Sequence, residues 1–431
     1  MRTHKSTIQL GNVCAKIGSG ATPRGGKEAY KGGATRLIRS QNIYNDGFHR
    51  EGLVYIDDNQ SAELRNVEVK TNDVLLNITG DSVARCCQVA MDVLPARVNQ
   101  HVVIIRPQPA SLDARFLRYV LVSHEYQSRL LSLASAGATR PALTKVMIEA
   151  LEIPDVPLSE QKAIAHILGT LDDKIELNRR MNETLEAKAR ALFKSWFVDF
   201  DPVRAKADGR KPPGLDAETA GLFPGSFQES ELGKIPKGWR ASTLGDLSKN
   251  VSVTFDFSRS PDVIFINTGD VLEGDFLHAN RSAHCGLPGQ AKKSIRSGDI
   301  LFSEIRPANK RYAYVDADFN SSNYVVSTKF MIIRASSDIH PRLLYRILTS
   351  KETLNEFQVE AESRSGTFPQ ITFDSISHFP IIVPPMSIQE AYQRAVSDID
   401  ARIKVNKQQA HTLAAVRDAL LPKLLSGEMR M

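Results

Sequence analysis

The chain carries nearly the same segment order twice. Pro157-Leu158-Ser159-Glu160-Gln161 returns as Pro385-Met386-Ser387-Ile388-Gln389, and Leu171-Asp172-Asp173-Lys174-Ile175 returns as Ile399-Asp400-Ala401-Arg402-Ile403, both at an offset of 228 residues. Upstream, Ile38-Arg39-Ser40 meets Ile266-Asn267-Thr268 and Ile104-Ile105-Arg106 meets Ile332-Ile333-Arg334 at the same offset. A repeat of this period fixes architecture before any local reading. Two copies of one module are expected, with two similar sites related by approximate two-fold symmetry.

The last part of each copy reads as a long helix. Ser159 to Phe197 contains no proline and a single glycine, Gly169. Seam positions recur at steps of four and three through Ile164, Leu168, Leu171, Ile175, Asn178, Asn182, Leu185, Ala189, Leu192 and Trp196, a heptad pattern. The equivalent positions after Pro385 include Ile399, Ile403, Asn406 and Leu413. Two helices of about 39 residues, roughly 58 Å each at 1.5 Å per residue, are expected to zip together. Ser159 and Ser387 are their candidate N-caps, since a serine oxygen accepts an otherwise unpaired first-turn N–H. Two-fold related units send out antiparallel helices, so the midpoint Asn178 is predicted to lie near Asn406 as a polar register device.

The remaining segments fall between these helices. Residues 1–156 and 240–384 form two globular domains of α+β class. Val102 to Ile105 and Phe330 to Ile333 read as strands, and Phe116 to Ala134 and Leu343 to Phe357 as helical. Residues 157–198 and 385–431 are the helical spacers. Residues 199–239 hold 11 Pro and Gly and read as an irregular connector that Phe223, Phe227, Ile235 and Trp239 anchor against the helices.

Composition excludes several classes. With 55 Lys+Arg against 49 Asp+Glu the net charge is +6, compatible with a nucleic-acid partner. Residues 1–158 hold 19 Lys+Arg and 15 Asp+Glu, whereas residues 240–386 hold 16 of each, so a second DNA face must come from local arrangement, as in Lys292, Lys293 and Arg296 or Arg306, Lys310 and Arg311. The four cysteines lack metal or disulfide spacing, and no run of about 18 apolar residues exists. A cytoplasmic chain is expected, with no membrane span and no signal segment.

Catalytic patterns fail one by one. The glycine-rich Gly18 to Lys27 segment has Ala21 where a P-loop begins and Glu28 where it needs Ser or Thr. Asp155, Glu160 and Lys162 spell a nuclease-like set, but they sit at a helix start, and the second copy replaces them with Val383, Ile388 and Glu390. The histidines lack ligand spacing, and no glycine-rich loop for a methyl donor or dinucleotide is present. The chain reads as a binder with no catalytic and no metal residues.

At Pro157 to Ile164, Leu171 to Asn178 and Ala191 to Phe197 the sequence resembles the specificity subunit of type I restriction-modification enzymes, and Glu231 to Trp239 is similar to that family's entry into its second target recognition domain. One departure is Ile388 in place of Glu160, which weakens the second helix start. The resemblance implies two target recognition domains joined by an antiparallel coiled coil. Each reads one half of a bipartite asymmetric site in double-stranded DNA, and the helices act as a ruler. It also implies two modification subunits docked on the helices and restriction subunits beyond them, which carry the S-adenosylmethionine, ATP and Mg²⁺. Glu176, Arg179 and Arg190 are candidates for the docking face. Two other readings stand beside it: a restriction-type enzyme with an unrecognised active site, and a coiled-coil scaffold unconnected with DNA.

Base edges are read by Arg, Lys, Asn and Gln, while hydroxyls and basic side chains hold phosphates. On that chemistry Arg36, Arg39, Gln41, Asn42, Thr79, Thr139 and Arg140 are the candidate contacts of the first module. Those of the second are Asn267, Thr268, Arg306, Lys310, Arg311, Arg364 and Thr367. Inserting seven residues after Asn182 is expected to lengthen the tolerated spacer by about three base pairs and leave both half-sites unchanged. An unaltered spacer in a selection from randomised duplexes would contradict the ruler.

Overall fold

A computed structural model describes residues 6–25, 28, 30, 32–89, 91–135, 141–260, 262–317, 319–364 and 366–429. The chain divides into two units, Met1–Met181 with Val405–Met431, and Asn182–Lys404. Each unit holds one repeat's sheets and half of each long helix, so the unit limits cut across the expected helical spacers.

In the first unit, strands Cys14–Ser19, Val102–Pro107, Val74–Asn77 and Cys86–Gln88 form an antiparallel sheet in that order. A second sheet runs Val54–Ile56, Thr35–Ile38, Ala96–Val98, Glu68–Val69, with its central pair parallel. The second unit repeats both. Ser248–Asn250, Phe330–Ala335, Asp299–Ser303 and Tyr312–Tyr314 form one sheet. Arg281–Ala283, Asp262–Ile266, Tyr324–Ser327 and Ala291–Ser294 form the other, again with a parallel centre. The β-branched runs become these strands because both faces of the central ones are covered: Val102 to Ile105 and Phe330 to Ile333 are all buried.

One buried ion pair is duplicated with the sheets. Asp73 is fully buried and takes a two-pronged bond from Arg106 at 2.7 and 2.8 Å, plus the Lys70 N–H at 2.7 Å. Asp299 does the same with Arg334 at 2.7 and 2.9 Å and the Arg296 N–H at 2.9 Å. A buried carboxylate is tolerable only with this degree of satisfaction.

Against the sheets lie two helices per unit, Ala114–Val122 and His124–Ser135, then Pro341–Leu348 and Lys351–Arg364, so each helical stretch read from the sequence is broken once. The long helices run Leu158–Phe197 and Met386–Ser426. They begin directly after Pro157 and Pro385, which corrects the expected serine caps: Ser159 and Ser387 lie inside the first turn. The side chain that fixes each start is a glutamine. Gln161 accepts the Asp113 N–H at 2.8 Å and donates to Ser111 and Val156 carbonyls at 3.2 and 2.8 Å. Gln389 accepts the His340 N–H at 2.7 Å and donates to Asp338 and Pro384 carbonyls at 3.1 and 2.8 Å. Each glutamine ties its long helix to the loop that opens the preceding helix pair.

Within each unit the paired halves run antiparallel. In the first, Arg417 reaches Asp172 at 2.8 Å and Asn178 donates to Gln409 at 3.0 Å. In the second, Asn182 donates to the Ile403 carbonyl at 3.4 Å and the Tyr392 hydroxyl to that of Ala189 at 3.5 Å. Asn178 and Asn406 are both buried, as is Ile399, while Leu171, Ile175, Leu185, Ile403 and Leu413 are half-buried along the seam.

The connector is more ordered than its Pro and Gly content suggests. It contains helices Asp201–Ala207 and Ala217–Leu222 and a hairpin, Phe227–Ser230 with Gly233–Pro236. Phe223, Ile235 and Trp239 are buried in one cluster with Trp196, Phe197 and Tyr392, and Phe227 packs at its edge. Aromatic area supplies the order that local propensity lacks.

Asp172 joins the first helix pair to its unit, bonded by Arg118, Arg417 and the Tyr119 hydroxyl. Burial alone would raise its carboxyl, but the Arg118 charge and the bonds from Tyr119, Arg417 and Arg118 outweigh burial and hold it below the usual range. A carboxyl lowered on folding stabilises above its unfolded value, near about 3.9, and loses that contribution as pH falls through the folded value. The difference in unfolding free energy between the parent and Asp172→Asn is therefore expected to narrow as pH drops from about 5 toward about 2. A difference constant over that range in denaturant titrations would contradict the assignment.

Candidate nucleic-acid interface

Three loops gather at the edge of the sheets in each unit. In the first unit they are the turn and hairpin of residues 39–49, the loop 78–85, and the stretch 141–143. Asn77 donates to the Ser40 carbonyl at 2.9 Å, Cys86 N–H to Asn45 Oδ1 at 2.9 Å, and Thr79 bridges Ala142. In the second unit the hairpin Val271–Leu272 with Asp275–Phe276 meets loop 304–311 and the segment entering Gln370. Glu273 N–H donates to the Lys310 carbonyl at 2.9 Å, Arg306 N–H to that of Pro369 at 3.1 Å, and Ile305 bridges Gln370. Residues distant in sequence thus form one polar loop cluster per repeat.

The candidate side chains differ in what they are free to do. In the first unit Arg36 donates to the Leu94 carbonyl at 3.1 Å and lies over Tyr55 at 5.7 Å. Arg39 donates to the Gly52 carbonyl at 2.6 Å, and exposed Gln41 reaches the same oxygen at 3.3 Å. Asn42 is a correction. It is fully buried, accepts the Arg39 N–H at 3.1 Å, and donates to the His49 and Glu51 carbonyls at 3.0 Å each, so it shapes the turn instead of facing solvent. Thr79 Oγ1 sits 2.7 Å from His101 Nδ1. Thr139 and Arg140 lie outside the described residues.

In the second unit Asn267 caps the turn Thr268–Asp270: its Oδ1 accepts the Thr268 N–H at 2.8 Å and its own N–H donates to Asp270 at 2.9 Å. Thr268 is half-buried, and Thr367 is exposed. Lys310 pairs with Glu273 at 2.8 Å and Arg364 with Glu360 at 3.2 Å. Arg311 donates to the Gly269 and Val271 carbonyls at 3.0 and 2.8 Å. Arg306 is exposed. Lys293 is a second correction: it is buried and donates to the Phe330 carbonyl at 2.7 Å, so the expected charge group of Lys292, Lys293 and Arg296 loses its central member.

Several side chains outside the expected set belong to the architecture of these clusters. Arg85 lies over the Tyr44 ring at 4.5 Å, and Tyr44 stacks on His49 at 4.1 Å. Arg118 ties Asp172 to the Asn45 carbonyl at 2.9 Å, linking helix to hairpin, and Arg346 bonds Asp400 in the second unit. The signal was the repeat itself, since Arg118 and Arg346, like Asp172 and Asp400, stand 228 apart. On the helices, Glu176 is pulled down to about 2 by the hydrogen bond from Arg179 and, against some burial, by Arg180. Arg190 pairs with Glu186 at 3.5 Å.

Comparison with known proteins meets this geometry. The profile of the type I restriction modification DNA specificity domain matches residues 4–187 and again residues 236–415. The chain belongs to that family, and carries its domain twice. It is 50% identical over 183 residues to the HindI specificity subunit of Haemophilus influenzae, a match spanning 42% of this chain and 39% of that protein. It is 27% identical over 325 residues to the MjaIX specificity subunit of Methanocaldococcus jannaschii, covering 73% and 68%. The crystal structure of a type I restriction-modification S subunit from M. genitalium shares the fold, with a TM-score of 0.56 at 15% identity over 97% of this chain and 95% of that one.

The contrast between neighbouring residues 41 and 42 is measurable. Asn42→Ala is expected to destabilise the first unit by about 2 kcal/mol, because it strands buried backbone groups, while Gln41→Ala changes stability by less than about 0.5 kcal/mol. Chemical denaturation of the two variants checks this, and the reverse order would contradict the placement.

Proposed function

We propose that the chain is the DNA-reading subunit of a type I restriction-modification complex. Each loop cluster reads one half of a bipartite asymmetric sequence in double-stranded DNA, and the antiparallel helices set the gap. What carries the reading is that one family domain occurs twice, each copy with its own polar loop cluster on a duplicated scaffold. A protein that needed one binding site would not need the second cluster.

By the same reading the helices dock two modification subunits, with restriction subunits beyond them. S-adenosylmethionine, ATP and Mg²⁺ act on those partners, and this chain contributes recognition without catalysis, in the cytoplasm. No helix among the described residues is long and apolar enough to cross a membrane. Along the helices Glu176 pairs with Arg179 and Glu186 with Arg190 at the surface, pairs worth little to stability in isolation.

The test is methylome mapping of a host that expresses the chain with its modification subunit, against the same host lacking the chain. A split motif with methylated adenines in both halves is the expected result. No new methylation from a verified complex would contradict the proposal, and metal-dependent cleavage or methyl transfer by the chain alone would favour the enzyme reading.

A further inference from the structure

One of the three loops is duplicated in shape and not in side chains. Residues 78–85 and 304–311 join strands at matched register, where Leu75 pairs Cys87 and Leu301 pairs Ala313. Both loops take left-handed backbone at their third and seventh positions: φ is 74° at Gly80 and 70° at Ala84, 45° at Arg306 and 55° at Lys310. The same turn closes each, from Val83 N–H to the Gly80 carbonyl at 3.0 Å and from Asn309 N–H to the Arg306 carbonyl at 2.8 Å.

Left-handed backbone brings Cβ against the following carbonyl, so glycine suits it best. A Cβ at Gly80 would meet no atom within 4 Å, so the backbone angle alone favours glycine there. Position 306 has the same angle demand and the same exposure, yet it carries arginine. Such strain persists where surrounding structure enforces it, and it concentrates at functional positions. Here Pro307 is buried, Arg306 N–H is bonded to Pro369, and Ala308 N–H to Gln358 Oε1 at 3.0 Å.

The neighbouring cations Lys310, Arg311 and Arg364 are engaged with Glu273, the hairpin carbonyls and Glu360. Arg306 is exposed in this cluster, and among the described residues its guanidinium has no protein partner. A guanidinium fork matches paired acceptors, either O6 and N7 of guanine or two phosphate oxygens. We infer that Arg306 is the principal contact of the second module with its half-site, held on a strained, rigid loop to take one such acceptor pair. The first module has no counterpart at Gly80, so the two modules read with different chemistry from one loop shape. This inference rests on the DNA-reading function proposed above.

The test uses the full chain assembled with its modification subunit and duplexes carrying the mapped motif, each base pair of both half-sites substituted in turn. Arg306→Gly relieves the backbone and is expected to raise the thermal midpoint by roughly 2–4 °C. It should also weaken binding about ten- to hundredfold. With a guanine contact, discrimination is lost at one base pair of the second half-site, and Arg306→Lys, which keeps charge without the fork, loses it too. With a phosphate contact, every duplex weakens equally and the salt dependence of log affinity falls by about 0.9. Both outcomes support the assignment. Unchanged affinity, or a lowered midpoint that marks Arg306 as structural, overturns it. If the parent complex selects no split motif, the proposed function fails; if the parent selects one and Arg306→Gly matches it, only this inference does.

Discussion

Each unit is completed by a helix half that belongs to the other repeat. Leu421 and Leu424, from the end of the C-terminal helix, are buried among Ile164, Ala165 and Leu168 in the first unit's core. Ala189, Trp196 and Phe197, from the end of the central helix, are buried with Ile388, Tyr392 and Val396 in the second. Burying one such side chain is worth about 1.5–3 kcal/mol, so neither repeat closes its core alone. Each core therefore takes a helix half from a second copy of the module, and in this chain that copy brings the second loop cluster with it.

Polar side chains fix how that exchange is made. The seam buries Asn178, Asn182 and Asn406, and an amide inside an apolar interface penalises registers that leave it unpaired. Gln161 and Gln389 set where each helix leaves its unit, with three hydrogen bonds apiece, and Asp172 and Asp400 clamp the helices through Arg118 and Arg346. These groups add modest net stability, but misplacing any of them leaves buried donors or acceptors unmet. Exposed loop positions that make no such bonds can differ between the repeats on the same backbone shape, as the contrast between Gly80 and Arg306 illustrates.

The long-range repeat and the heptad seam were legible because periodicity integrates over many residues. The limits of the long helices were nearly right, yet their anchoring was misread. Ser159 and Ser387 fit a local capping rule, whereas Gln161 and Gln389 act through contacts about 50 residues away that no local rule encodes. The connector misled in the same way, since its Pro and Gly content speaks of turns while Phe223, Ile235 and Trp239 act through tertiary packing. At the candidate interface the loops were legible from their polar, glycine-containing composition. Individual side chains were not: Asn42 and Lys293 have the chemistry of base readers, and only the fold shows that both are buried.

The most direct test of the whole account replaces the second recognition segment, residues 240–384, with the equivalent first-module sequence between the duplicated glutamine anchors, followed by mapping of the methylated motif. Two equivalent modules on an antiparallel helix pair predict a split motif made of the first half-site and its inverted complement, with the spacer unchanged. An unaltered asymmetric motif, or two half-sites in direct repeat, would contradict it.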